Sequence, residues 1–168
     1  MSAHVSSAGV GVDSRGSEGD NALVTATLTL NVRPSPLLGA PTPVPALVLT
    51  TREVVSSANF NTVYPATTFA TGATSIGALS ISGALLGARK LSASGQIAPD
   101  TVIYESPTVT ITLNRQIKSG AISCSFPGGC TFTLAGVDVA AVAIDLRDAV
   151  VGGAKVSGEI LINDAQAR

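Results

Sequence analysis

The sequence predicts an all-β protein: a single-domain β-sandwich of Greek-key or jelly-roll type, or a small barrel, with about eight strands. Two observations predict this class. Stretches in which apolar residues alternate with threonine or serine recur along the chain, and glycine or proline turns separate them. The side chains are also small, since 17 of the 168 residues are glycine and only 4% are aromatic. A stable core then requires many closely packed valine and isoleucine side chains.

Charged residues are scarce in this chain. They make up 12% of the residues, and the formal net charge is −1. A chain with so little net charge is a poor electrostatic partner for nucleic acid. Its hydrophobic content of 45% excludes a protein that is disordered throughout. Because few surface charges protect it from association, we expect it to self-associate or to bind other structural proteins of one assembly.

The first 21 residues differ in composition from the rest. Serine and glycine dominate them, and such a segment cannot offset its own ordering entropy unless a partner supplies buried surface. We therefore divide the chain into a flexible N-terminal arm, residues 1–21, and a β-sandwich domain, residues 22–168.

The first strands follow the arm. Apolar residues alternate with threonine from Leu23 onward, and a second strand is expected over residues 46–56. Between them, five prolines from Pro34 to Pro45 exclude a helix or a central strand. We expect an extended crossover here that bridges two sheets in the Greek-key manner.

Residues 59–72 are predicted to form a loop that carries three of the aromatic side chains, Phe60, Tyr64 and Phe69. One interpretation is that the loop folds these rings over the edge of the core. The other is a contact surface, because aromatic residues on irregular segments are typical of interface hot spots. These three residues form our candidate interface.

Three later stretches resemble one another. Residues 79–85 are echoed by residues 91–97, and a shorter echo spans residues 156–160. The first two copies predict paired strands with glycine at matching positions, where glycine marks a bulge or a close backbone approach.

The stretch 137–146 fits two kinds of secondary structure. Val139, Val142 and Leu146 have helical spacing, whereas Val142, Ile144 and Leu146 alternate as in a strand. We predict a strand, since β-branched residues are abundant here. Further strands with clear alternation are expected at four places: residues 108–113, 122–126, 131–134 and 154–163.

The two cysteines flank a proline-glycine-glycine turn. If the flanking residues are strands, Cys124 and Cys130 face each other across a hairpin, a geometry in which a disulfide forms. The alternative is a pair of buried thiols that act as small apolar groups. We predict the disulfide, and with it an extracellular location or a particle that is stable outside the cell.

The sequence offers little reactive chemistry. The single histidine, His4, lies in the predicted arm, and no Gly-x-Ser-x-Gly elbow or phosphate-binding glycine loop is present. We predict no enzymatic activity, no metal, no cofactor and no small-molecule substrate. The carboxylates considered for a catalytic pair have no spacing that places two of them across a cleft: Asp138, Asp145, Asp148 and Glu159.

The remaining expectations concern location and role. No apolar run is long enough for a membrane span, and no secretory signal begins the chain. We expect a structural subunit of a virus particle, such as a capsid decoration or tail component. The alternatives are a secreted pilin- or adhesin-type filament subunit at the cell surface and a monomeric extracellular binding module.

Overall fold

The computed structural model describes residues 9–13, 16–30, 45–63, 67–87, 89–119, 122–125, 129–132, 136–151 and 154–167. These residues are almost entirely β-structure, and the only helix among them is one 3-10 turn, Ala84–Leu86. The strands are, in chain order, β1 (Gly9–Asp13), β2 (Gly16–Leu30), β3 (Leu47–Val63), β4 (Thr67–Ser82), β5 (Leu91–Ile97), β6 (Thr101–Glu105), β7 (Val109–Ser119), β8 (Ile122–Ser125), β9 (Gly129–Phe132), β10 (Gly136–Val151) and β11 (Ala154–Ala167).

These strands form two antiparallel sheets that pack face to face as a β-sandwich. One sheet has the order β1-β2-β3-β4-β5 and the other β11-β10-β7-β6, while β8 and β9 pair as a separate hairpin. The predicted all-β sandwich is therefore confirmed. The core lies between the sheets, and its largest fully buried side chains include Leu47, Leu49, Val54, Ile76, Ile81, Val109, Ile111, Leu113, Val142 and Ile144.

Residues 137–146, whose spacing fits both a helix and a strand, form part of the strand β10, as predicted. Its helical spacing has a physical cause, because the inward-facing positions of β10 change phase twice. The core side chains run from Val139 to Val142 and from Leu146 to Ala149, each time across three residues instead of two. The second change is a register shift at Asp148, which has a φ of 49°. The first of these phase changes, which occurs without a register shift, gives Val139, Val142 and Leu146 the spacing of a helix.

The path of the chain differs from the expected Greek-key crossover. The strands on either side of the proline-rich segment are neighbours in one sheet, with Leu30 opposite Leu47. Residues 31–44 themselves lie outside the described part. The first sheet is a meander of consecutive strands, and the chain changes sheet between β5 and β6. Loop length alone does not reveal which sheet receives the next strand, because the entropy of closing a loop grows slowly with its length.

Strand pairing extends into segments that the composition assigns to a flexible arm and to a loop. β1 and the start of β2 occupy positions assigned to the arm, and β3 and β4 continue through most of the predicted loop at 59–72. Antiparallel ladders use backbone groups, so serine, asparagine and glycine continue a strand wherever a neighbouring strand is present. Residues 1–8 lie outside the described part, and the division at residue 21 stays a prediction.

The sequence echo is confirmed as a pair of strands. Ile81 lies opposite Leu91 and Leu79 opposite Ala93, so the two copies run antiparallel. Gly95 has a φ of 91° beside a register shift, which is the bulge that its position predicted.

A layer of buried polar side chains, the polar belt, crosses the interior. Ser56 and Thr74 oppose each other on β3 and β4, while Asn114 and Asn163 lie on β7 and β11 on either side of β10. Thr74 donates from its hydroxyl to Oδ1 of Asn114 at 3.1 Å, and Asn163 donates from Nδ2 to Ser56 Oγ at 3.2 Å. The belt therefore connects the two sheets through side chains.

The polar belt separates the main core from a smaller cluster of valine and alanine. Both asparagines have left-handed backbone conformations, with φ 49° at Asn114 and 56° at Asn163. Asparagine tolerates this conformation better than most residues. The smaller cluster at the far side consists of Ala58, Val137, Val139, Ala165 and Ala167.

Candidate interaction surface

Two of the three predicted interface residues, Phe60 and Phe69, lie at one end of the five-stranded sheet. Phe60 on β3 stands opposite Ala70, and Phe69 on β4 stands opposite Asn61, so the two phenylalanines occupy neighbouring levels of the ladder. Tyr64 lies outside the described residues, as do the side chains of Phe60 and Phe69. Their role as a contact surface stays a prediction.

The two cysteines occupy directly opposed positions. β8 and β9 form a hairpin in which Cys124 is the register partner of Cys130. This is the backbone arrangement that a cross-strand disulfide requires. Their side chains lie outside the described part, so the bond itself stays a prediction.

Two of the candidate carboxylates are brought together by the fold. Asp145 on β10 lies opposite Glu159 on β11, on the outer face of the four-stranded sheet. Nη1 of Arg115 lies 3.8 Å from Oδ1 of Asp145 and also contacts Oε1 of Glu159. Because the guanidinium bridges both acids, the arrangement is an ion-paired row on an open sheet face. Spacing in the sequence did not indicate this pairing, since it depends on strand register.

The other two carboxylates lie elsewhere along β10. Asp138 is paired in register with Gln166, and Asp148 accepts a hydrogen bond from the hydroxyl of Ser157 at 3.2 Å. Within the described ranges, no group of three or more histidine, cysteine or acidic residues is placed to hold a metal ion. None of the described helical structure is long and apolar enough to cross a membrane.

The outer face of the five-stranded sheet presents short side chains. We name its described part the serine–threonine face and define it by the outward residues of β3, β4 and β5. On this face Val55 is 45% exposed, and threonines, serines and alanines surround it. The set is Val48, Thr50, Arg52, Glu53, Val55, Ser57, Asn59, Thr71, Ala73, Ser75, Gly77, Ala78, Ser80, Ser82, Ser92, Ser94 and Gln96.

The charge on the serine–threonine face is confined to two adjacent residues. Arg52 and Glu53 are both exposed, which is unusual for neighbours on a strand, and the left-handed backbone of Glu53, with a φ of 50°, accounts for it. On the neighbouring strand, a Cβ at Gly77 would lie 2.8 Å from Cβ of Glu53 and 2.9 Å from its Oε2. Glycine therefore leaves the space in which the Glu53 side chain rests against β4.

Part of this face has a signal in the sequence. No charged residue occurs from Val54 to Ala88, which covers most of β3 and all of β4. Composition alone does not show which of these residues share a face, because the left-handed backbone at Glu53 shifts the alternation.

Two edge strands of the sandwich are interrupted by bulges. β5 has Gly95 at a φ of 91°, and the pairing of β6 with β7 shifts between Val102 and Tyr104. Bulges twist an edge and break the row of free backbone groups that an added strand would need. These edges are therefore poorer docking sites than the serine–threonine face.

Comparisons with models of known protein families, with curated proteins and with solved structures find no match to this chain.

Proposed function

We propose that this protein is a non-enzymatic structural subunit that works by packing against copies of itself or against companion proteins. The observation that supports this role is the serine–threonine face: among its described residues, those of β3, β4 and β5, only Arg52 and Glu53 are charged. A sheet face with small side chains and little charge packs against another surface with a low desolvation cost, because few charges must leave water.

The assembly that we propose is a virus particle, in which the chain serves as a capsid decoration or tail component. A secreted pilin- or adhesin-type filament is the main alternative. The genes beside the coding sequence distinguish the two: capsid genes support the virus particle, whereas usher or export genes support the filament. A monomeric extracellular binding module that uses residues 59–72 is the third candidate.

Sedimentation velocity over a hundredfold range of concentration tests the proposal. We expect a mass that rises above the 16.7 kDa of one chain as the concentration increases. If the protein remains a single 16.7 kDa species at the highest concentration, with or without its companion proteins, the structural role is contradicted and the binding module is favoured.

A further inference from the structure

We propose that a second copy of this chain docks face to face on the serine–threonine face, about a two-fold axis beside Arg52 and Glu53. The inference rests on the proposed function, because it names the partner and the surface through which the subunit assembles. Three properties of the face support it: short side chains, sufficient area and a self-complementary pair of charges.

The side chains of the face allow two sheets to approach closely. Beyond Cβ, alanine has no heavy atom, serine has one and threonine has two. Such residues on the face include Thr50, Ser57, Ala73 and Ser75, and the exposed large apolar residue among them is Val55. Stacked sheets pack about 10 Å apart when side chains from both sides fill the space between them. Short hydroxyl and methyl groups fill most of such a layer, and the charges within the defined face are those of Arg52 and Glu53.

The area of the face reaches that of a small specific interface. β3 and β4 run side by side from the pair Val48–Ser82 to the pair Asn59–Thr71, and β5 lies beside β4. At about 3.3 Å per residue and about 4.8 Å per strand, the two longer strands cover roughly 40 by 10 Å, and β5 raises the total to roughly 500 Å². Two copies packed through this face bury about 1,000 Å², the minimum expected of a specific interface.

The two charges of the face complement each other across a two-fold axis. In a symmetric dimer the same patch meets itself, so a cluster of one sign repels its own copy. Arg52 and Glu53 are adjacent and opposite in sign, and within the described part of the chain neither forms an ion pair. An axis beside them sets Arg52 against the partner's Glu53, and Glu53 against the partner's Arg52.

Charge reversal tests the inference. We expect Arg52→Glu and Glu53→Arg each to weaken self-association about tenfold or more, because each creates a like-charged patch that meets its own copy. The double variant restores one charge of each sign and should regain most of the wild-type association. Arg147→Glu is the matched control, since it makes the same charge change at an exposed position on β10 in the other sheet. Sedimentation equilibrium gives the association constants, and circular dichroism confirms that each variant is folded.

The outcomes separate this inference from the proposed function. If the wild-type protein associates and Arg52→Glu associates equally well, the serine–threonine face is not the contact, although the structural role stands. The inference is also overturned if the double variant stays as weak as the single variants, or if the face binds only a companion protein. If Arg52→Glu fails to fold, Ala73→Glu places a charge on the same face and must weaken association. A wild-type protein that never self-associates contradicts this inference, and one that also binds no companion protein contradicts the proposed function as well.

Discussion

Replacement of Asn114 by alanine removes the central member of the polar belt. Nδ2 of Asn114 donates to the carbonyl of Ile97 at 2.7 Å, and its Oδ1 accepts from Thr74 Oγ1 at 3.1 Å and from Gln116 Nε2 at 3.2 Å. Asn114 is 1% exposed, so water does not replace these bonds unless the sheets separate. The variant therefore removes the side-chain donor to the Ile97 carbonyl and leaves the Thr74 hydroxyl with a 3.5 Å contact to Ser56, whereas the Gln116 amide keeps its hydrogen bond to the carbonyl of Gly72 at 2.6 Å.

The size of the effect follows from two contributions. A buried polar group that loses its partner costs about 1–3 kcal/mol, and at least the hydroxyl of Thr74 and the carbonyl of Ile97 are affected. Alanine also enters a left-handed backbone conformation, φ 49°, at a cost of about 1 kcal/mol relative to a residue that tolerates it. We expect Asn114→Ala to lower the free energy of unfolding by about 3–5 kcal/mol.

Urea unfolding of Asn114→Ala and Asn114→Gly separates these contributions. Both variants lose the hydrogen bonds, but glycine relieves the backbone, so Asn114→Gly should be the more stable by about 1 kcal/mol. Asn59→Ala is the control, because Asn59 is exposed on the outer face of β3, and it should change stability by less than about 0.5 kcal/mol. A loss below about 1 kcal/mol for Asn114→Ala, or no advantage of glycine over alanine, would refute this account of the polar belt.

Three further predictions concern packing, charge and covalent linkage. A Cβ at Gly72 would lie 2.3 Å from Cγ2 of Val139, so Gly72→Ala should lower the melting temperature and cost about 1–3 kcal/mol of stability. The loss should be clearly smaller in a Val139→Ala background, and an equal loss in both backgrounds contradicts the steric cause. Arg115→Met leaves the carboxylates of Asp145 and Glu159 opposed across neighbouring strands, and it should cost about 1 kcal/mol of stability at low ionic strength. The cost should be smaller in 1 M salt, because salt screens the repulsion. A loss of stability that salt does not change argues against the ion pairs. If Cys124 and Cys130 form a disulfide, iodoacetamide should label the protein only after reduction, and reduction should cost about 2 kcal/mol; labelling of the untreated protein means free thiols.

The fold class was predictable because one face of most strands is buried. Val109, Ile111 and Leu113 alternate with threonine, and all three are at most 1% exposed in β7. Burial of one face imposes a period of two on the sequence, and this signal survives without an alignment. The echo at 79–85 and 91–97 was predictable for the same reason, since paired strands of similar environment require similar residues.

The polar belt was not predictable, because it depends on backbone conformations that leave little trace in the residue pattern. Asn114 follows a clear alternating run and resembles the start of a turn. Its left-handed backbone instead shifts the phase of β7 and directs the amide into the sandwich. A phase shift of the same kind in β10 gives Val139 and Val142 their helical spacing. Phase shifts are decided by contacts between strands far apart in the chain, and Asn163 bonds to Ser56 across 107 positions.

The polar belt bears on the proposed assembly through strand register. A slip of one residue in β3 would exchange its two faces, burying Arg52 and exposing Leu49. A slip of two residues keeps the faces except beside Glu53, where the alternation changes phase, but it brings Val54 to the position at which Ser56 now accepts a hydrogen bond from Asn163. The amide would then face an apolar side chain, at a cost of about 1–3 kcal/mol. An apolar core alone discriminates weakly among such registers, because one valine or isoleucine replaces another. A hydrogen-bonded belt makes the native register the one in which Asn114 bonds to Thr74 and Asn163 bonds to Ser56, and so holds Arg52 and Glu53 where a second copy can meet them.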